Sequence, residues 1–278
     1  MWRWRVRSGG TSSIVCCSTA HGPWCSREVD VVVTSDEVWE ARRTSFGSGA
    51  ANYAAGRPGY PREVVEACLP RGAGRVLDLA AGTGPLTTAL LELGLSVVAV
   101  EPLDDMRAFV PAAAEAIAGT AEQIPLPDES VDAVFVGQAW HWFDVPKAVA
   151  ECARVLRPGG TLNPMWNLLD ASDPLSLRLS DIAMVDQCSA RMLDNPNPPF
   201  AANDLFSTPR RTLTRYRLGY TWERVEAFIR STSVMILAGD DQRDRVLTEA
   251  REAMPDGEFE LSFICEAWSA TKLQGTRQ

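Results

Sequence analysis

The residues best suited to chemistry lie in "VLDLAAGTGPLTTAL", residues 76–90, where an apolar run carries Asp78, a loop carries Gly82 and Gly84, and Pro85 opens a second apolar run. A strand, a glycine loop and a helix in this order hold nucleotide-like ligands, because glycines let the backbone come close and a helix start offers free N–H groups. The dinucleotide form of the loop is G-x-G-x-x-G, and here Thr87 stands where the small third residue belongs. Asp78 argues in the same direction. A carboxylate beside the loop repels a pyrophosphate, more strongly in low dielectric, whereas a cationic ligand reverses the sign. Glu101 ends the next apolar run 23 residues further on, a place that suits a carboxylate accepting hydrogen bonds from both hydroxyls of a ribose. Together the two acids ask for a positively charged nucleoside without phosphate.

Positioning these groups takes alternating strands and helices, which indicates βαβ units and a mainly parallel α/β sheet. "RVLDLA" (75–80) reads as the first strand, and "LTTALLEL" as a helix from Pro85 to a stop at Gly94. "SVVAVE" (96–101) is the second strand, and a helix is expected over Leu103 to Phe109 with another over "AAAEAIA". "GTAEQIPLPDES" is a loop, "VDAVFVGQA" (131–139) a strand, and Asp144 can cap a helix that ends in "RVLRPGG". "TLNPMW" is a weak strand, since Pro164 removes a ladder donor. After an insertion at about 171–211, with a helical piece in "SLRLSDIAMVDQ", come a strand at 215–220, two helices ("WERVEAFIR", capped by Thr221, and "DDQRDRVLTEAREAM") and a long strand in "GEFELSFICEAWSATK". In open sheets of this kind ligands lie beyond the carboxyl ends of the strands, which puts the first loop at the site.

S-adenosylmethionine, with an ammonium and a sulfonium beside its adenosine, matches what the two acids ask for. The strings "VLDLAAGTG", "VVAVEPLDDM", "GTAEQIPLPDESVDAVFVGQAWHWFD" and "AECARVLRPGG", in this order, resemble the class I S-adenosylmethionine-dependent methyltransferases, particularly the small-molecule group that includes ubiquinone/menaquinone-type enzymes. "SFGSGAANYAAGRPGYP" and "STSVMILAGDDQRDRVLTEAREAM" extend the resemblance from about residue 45 to the C-terminus. It implies a Rossmann-like fold with a central, mostly parallel seven-stranded sheet, an antiparallel last strand and helices on both faces. It also implies a methyl transfer to a small-molecule acceptor with S-adenosyl-L-methionine as cofactor. By the same resemblance Asp78, Ala80, Gly82 and Gly84 surround the methionine moiety, Glu101 holds the ribose, and Pro102 and Met106 lie alongside the nucleoside. Thr120, Ala121 and Glu122 match the segment beside the adenine, Gln138 ends the fourth strand under the sulfonium, and Tyr53 and Arg57 belong to an N-terminal segment covering the cofactor. Ala80 departs from the family's commoner first loop glycine, and Thr120 stands where many relatives have an aspartate.

"QAWHWFD" adds chemistry on the acceptor side. His141 follows a strand at the ligand face and is either a general base for the acceptor or a structural hydrogen-bonding histidine. Trp140 and Trp142 are either core anchors or an aromatic wall that attracts the sulfonium. Trp166, Asn167 and Asp170 are further substrate-side candidates. Two other readings share the strand–loop–helix plan: an NAD(P)-dependent oxidoreductase of Rossmann type, against which Asp78 and Thr87 argue, and a non-catalytic S-adenosylmethionine-binding protein.

Bulk properties set the outer bounds. The 278 residues are 46% apolar, enough for one large domain, and the formal charge of −9 supplies no basic field for nucleic acid. No apolar run is long enough for a membrane span. Seven cysteines without paired or metal-ligand spacing, and only two histidines, point to reduced thiols in the cytoplasm and to no metal site. Residues 1–35 differ from the rest: through Arg27 they hold four arginines and no acid, as transit peptides do, yet Gly9, Gly10 and Pro23 break any amphipathic helix. The expected arrangement is a disordered extension over 1–35 and a single domain over 36–278, with an N-terminal cap at about 40–70.

Overall fold

The computed structural model describes residues 46–183 and 197–273, together with two two-residue strands nearer the N-terminus. Two compact units divide the chain, Met1–Thr44 and Ser45–Gln278. In the first, Ser13–Ile14 pairs antiparallel with Val29–Asp30. The other residues of the expected 1–35 extension, the expected start of the cap and positions 184–196 of the insertion lie outside the described residues.

The second unit is built on a seven-stranded sheet. Its strands are β1 (Arg75–Leu79), β2 (Ser96–Val100), β3 (Glu115–Ile117), β4 (Val131–Gly137), β5 (Leu156–Leu169), β6 (Arg210–Tyr220) and β7 (Phe259–Thr271). Their order across the sheet is β3-β2-β1-β4-β5-β7-β6. The first five pair in parallel, and β7 runs antiparallel to both neighbours. The order reverses between β1 and β4, so the carboxyl ends of β1, β2 and β4 frame a crevice, the place where α/β sheets hold ligands.

Alternation along the strands supplies two apolar faces. Leu77, Leu79, Val134, Val136 and Leu162 pack with Ala148, Val149 and Cys152 of helix Val145–Val155, while Val76, Ala133, Phe135 and Met165 pack with Val64, Val65, Leu86 and Leu90 on the other face. Asp78 shares the second face with Val76, since side chains two apart in a strand point the same way. The helices are α1 (Ala50–Gly56), α2 (Arg62–Ala67), α3 (Pro85–Glu92), α4 (Asp104–Arg107), α5 (Val145–Val155), α6 (Pro174–Ala183), α7 (Trp222–Arg230), α8 (Ser233–Leu237) and α9 (Asp240–Ala253). A third core joins α6 to α9 with Leu169, Tyr220, Leu261 and Phe263.

Two expectations need correction, and a third is exceeded. "AAAEAIA" is not a helix: Glu115–Ile117 forms the edge strand β3, pairing with Val98–Val100, so sheet pairing overrides the helix preference of an alanine-rich run. The "TLNPMW" segment is part of a 14-residue strand in the middle of the sheet, β5. Pro164 is tolerated because pairing with β7 lapses between Leu162 and Met165, where the missing N–H has no ladder partner to lose. Asp144 caps α5 as expected, accepting from Lys147 N, but Thr221 precedes α7 without a side-chain cap.

Candidate active site

Asp78 and Glu101 are both buried, at 1% and 5% exposure, at the carboxyl ends of adjacent strands. Asp78 Oδ2 accepts from Thr87 Oγ1 at 2.6 Å, and its Oδ1 is buried without any partner. Burial raises its pKa from 3.8 to about 7, with the Thr87 hydrogen bonds opposing and the Glu101 charge adding to the rise. Glu101 is held from both sides, Oε2 accepting from Gly82 N at 2.9 Å and Oε1 from Leu103 N at 3.0 Å. Its pKa is also raised by burial, against those two hydrogen bonds. A carboxylate oxygen has two lone pairs, so each Glu101 oxygen keeps one for a ligand.

The loop between them turns through left-handed backbone at Ala80 (φ 57), Gly82 (φ 59) and Gly84 (φ 87). A Cβ on Gly84 would stand 2.6 Å from Pro111 Cδ, so that glycine is required by space as well as by φ, whereas at Gly82, where a Cβ would lie 3.3 Å from the flexible end of Met106, φ is the stronger constraint. Ala80 has a Cβ in a conformation that favours glycine, and strain of this kind gathers at functional sites.

A cleft of about 20 Å³ opens beside Asp78, lined also by Tyr53, Arg57, Tyr60, Gly137, Gln138 and Asn167. Gln138, directly after β4, adopts φ 59, and its Nε2 donates to Asn167 O at 2.7 Å. Arg57 reaches the cleft from the end of α1, where its Nε and one Nη donate to Ser231 Oγ (2.9 Å) and Ser231 O (3.1 Å). Its guanidinium lies over the rings of Tyr53 and Phe228, at 4.8 and 5.3 Å. Gly56 brings this segment in: a Cβ there would fall 2.2 Å from Phe228 N, so α1 touches α7 backbone to backbone.

The cleft thus unites four of the cofactor-side residues singled out in the sequence, Tyr53, Arg57, Asp78 and Gln138, and Met106 and the glycine loop adjoin them. Met106 is buried, while Pro102 is exposed. Thr120 bridges to Gln123, Ala121 is buried, and Glu122 Oε1 accepts from Asp144 N at 3.0 Å at the start of α5. His141 is exposed on the short 3-10 turn Trp140–Trp142 and is not among the cleft residues; its ring lies 4.8 Å from that of Trp142. Trp140 is a core residue, its Nε1 donating to Pro199 O at 3.1 Å and its ring set against Phe143 and Phe200. Among the acceptor-side candidates Asn167 lines the cleft, Trp166 faces the opposite core, and Asp170 is engaged by Ser172 and Arg215. Sequence reasoning missed Tyr60 and the tie of Thr87 to Asp78. The nine-residue offset of Thr87 places it on the first turns of α3, which was the signal available for the second.

Residues 77–163 match the family described as a methyltransferase domain. An uncharacterized methyltransferase of Mycobacterium tuberculosis is 42% identical over 214 residues, covering 76% of this chain and 85% of the relative. The chain belongs to the class I S-adenosylmethionine-dependent methyltransferases. As a member of this family it is an enzyme, and its relatives extend to a malonyl-[acyl-carrier protein] O-methyltransferase of Methylococcus capsulatus, 40% identical over 134 residues, 42% of this chain and 48% of that one. A solved structure described provisionally as a type II methyltransferase from Anaeromyxobacter dehalogenans shares the methyltransferase fold, with a TM-score of 0.54 at 22% identity, covering 77% of this chain and 97% of the other. Among the described residues no helix is long and apolar enough to cross a membrane, and no group of three or more His, Cys, Asp or Glu side chains could hold a metal ion.

Proposed function

We propose that the enzyme methylates a small-molecule acceptor by in-line displacement, with S-adenosylmethionine held across the glycine loop by Asp78 and Glu101. The observation that carries this reading is Asp78 Oδ1, a buried carboxylate oxygen without a partner in a cleft. Such an oxygen costs stability unless a donor meets it, and a cationic ligand meets it best. The ammonium of the methionine moiety takes that place, and the Arg57 guanidinium offers its charge to the carboxylate. The free lone pairs of Glu101 receive the ribose hydroxyls. Ala80, Gly82 and Gly84 allow close approach, Pro102 and Met106 flank the nucleoside, Thr120 to Glu122 border the adenine, and Gln138 lies under the sulfonium.

Bound S-adenosylmethionine supplies an electrophilic methyl group on a sulfur that departs as a neutral thioether. The chain's own contribution is alignment, since holding two reactants in attack geometry is worth about 7 to 11 kcal/mol. The segment carrying Tyr53, Arg57 and Tyr60 covers the cleft and keeps water from the reacting atoms. His141, three residues beyond Gln138, stands exposed outside the cleft lining, and its role as the base for the acceptor's proton is a proposal that rests on its place in the sequence.

Calorimetric titration tests the reading directly. S-adenosylmethionine and S-adenosylhomocysteine bind while NAD does not, and labelled methyl then passes to metabolite acceptors. Tight NAD binding without binding of either sulfur nucleoside moves the protein to the oxidoreductases. Cofactor binding without transfer to any acceptor makes it a sensor.

A further inference from the structure

The cleft holds a second unmet polar atom that the cofactor assignment does not use. Asn167 is 6% exposed; its Nδ2 donates to Gly59 O at 3.0 Å, and its Oδ1 is buried without a partner. The amide has no freedom to turn round. Gly59 O can only accept, so the nitrogen must face it and the oxygen is left for the other side. Gln138 Nε2 holds the Asn167 backbone carbonyl, so the residue is fixed from two directions, and Tyr216 Oη steadies the Gly59 carbonyl by donating to it at 3.3 Å.

Tyr60 enters the same cleft from the cap. Its hydroxyl would stand 2.5 Å from a Cβ on Gly137, a position open only because that residue is glycine. Burial raises the Tyr60 pKa well above its ordinary value, so the phenol keeps its proton at neutral pH and remains a donor. Tyr60 therefore presents a donor and Asn167 an acceptor at the carboxyl ends of β4 and β5. An unpaired buried amide oxygen is costly, and a ligand N–H or O–H recovers that cost. A carboxylate has no hydrogen to give that oxygen and would set its lone pairs against it.

We infer that Asn167 Oδ1 and Tyr60 Oη recognise the methyl acceptor, and that the group seated there is a neutral hydroxyl or amine still carrying its hydrogen, in preference to a bare carboxylate. The inference rests on the methyltransferase reading above and specifies its substrate class. Asn167 acts by seating the acceptor; it removes no proton.

The test is ligand-detected NMR on the full chain saturated with S-adenosylhomocysteine, with phenol, aniline and benzoate as probes. Phenol and aniline bind about tenfold more tightly than benzoate, the equivalent of one recovered hydrogen bond. Asn167→Leu removes that preference while calorimetry shows unchanged affinity for S-adenosylhomocysteine. Because Asn167→Leu also frees Gly59 O, Tyr60→Phe serves as a second variant that keeps the Asn167 contacts, and it weakens phenol and aniline about threefold. Equal or tighter benzoate binding, no binding of any probe to the loaded protein, or full phenol and aniline affinity in both variants would each overturn the inference. Failure of S-adenosylhomocysteine to bind the wild-type protein is a different result, and it strikes the cofactor reading first.

Discussion

Asp78→Asn removes a charge while keeping the shape of the side chain, and the structure gives the size of the effect. The Asp78 carboxyl is pushed from 3.8 to about 7 by burial, so between those values the folded chain holds a proton that the unfolded chain releases. With the pKa raised on folding, stability is greatest below the unfolded value and falls as pH rises through 7, where the full cost of a buried, unmet charge is present. A rise of about three units corresponds to roughly 4 kcal/mol. The asparagine variant is therefore more stable than wild type at pH 8 by up to that amount, and the advantage vanishes at pH 4. A cationic ligand acts in the opposite sense. It draws the Asp78 pKa down, so binding below neutrality releases a proton, and affinity for S-adenosylhomocysteine is about fivefold weaker at pH 6 than at pH 7. In Asp78→Asn that dependence disappears and affinity at pH 7 drops by about 30-fold or more, the lower end of the cost of losing one partner of a buried charged pair. Thr87→Val, which deletes the 2.6 Å hydrogen bond to Asp78, moves the binding profile to higher pH. Calorimetry in two buffers of different ionisation enthalpy counts the proton, and thermal melts from pH 4 to 8 read the stability. Equal S-adenosylhomocysteine affinity at pH 6 and pH 7, unaltered by Asp78→Asn, would refute the argument.

Ala80→Gly relieves a Cβ held at φ 57; after the entropy lost by glycine, it stabilises by about 0.5–1 kcal/mol, a rise of a few degrees in melting temperature. Gly56→Ala drives a methyl into the backbone of α7, 2.2 Å from Phe228 N, and costs about 3 kcal/mol or more, read as a fall in the denaturant midpoint. His141→Ala leaves S-adenosylhomocysteine affinity unchanged and lowers turnover on the order of 100-fold; unchanged turnover removes His141 from the mechanism.

Much of this architecture was legible from local chemistry. Strands β1, β2 and β4, the start of α3 at Pro85 and the cap at Asp144 follow from apolar runs and helix-end residues, and these are the elements that place Asp78, Glu101 and Gln138. The misread parts depend on partners distant in sequence. The edge strand at Glu115–Ile117 exists because β2 offers it a ladder, which nothing within the alanine-rich run announces. Pro164 is harmless only because of a local gap in pairing with a strand about a hundred residues away. In the site, acids and glycines declared themselves by type and spacing. Tyr60 did not, because its relevance lies in lying over Gly137, 77 residues further along the chain.

The contact at Gly56 has a mechanical consequence. With α1 pressed onto the Phe228 backbone, Arg57 tied to Ser231 and Tyr220 Oη donating to Gly56 O at 3.0 Å, the roof over the cleft cannot swing like a loop on a hinge. Opening that roof would have to disturb α7 and the cluster of α6 to α9 behind it, so substitutions that merely loosen the cluster are expected to change how fast reactants come and go.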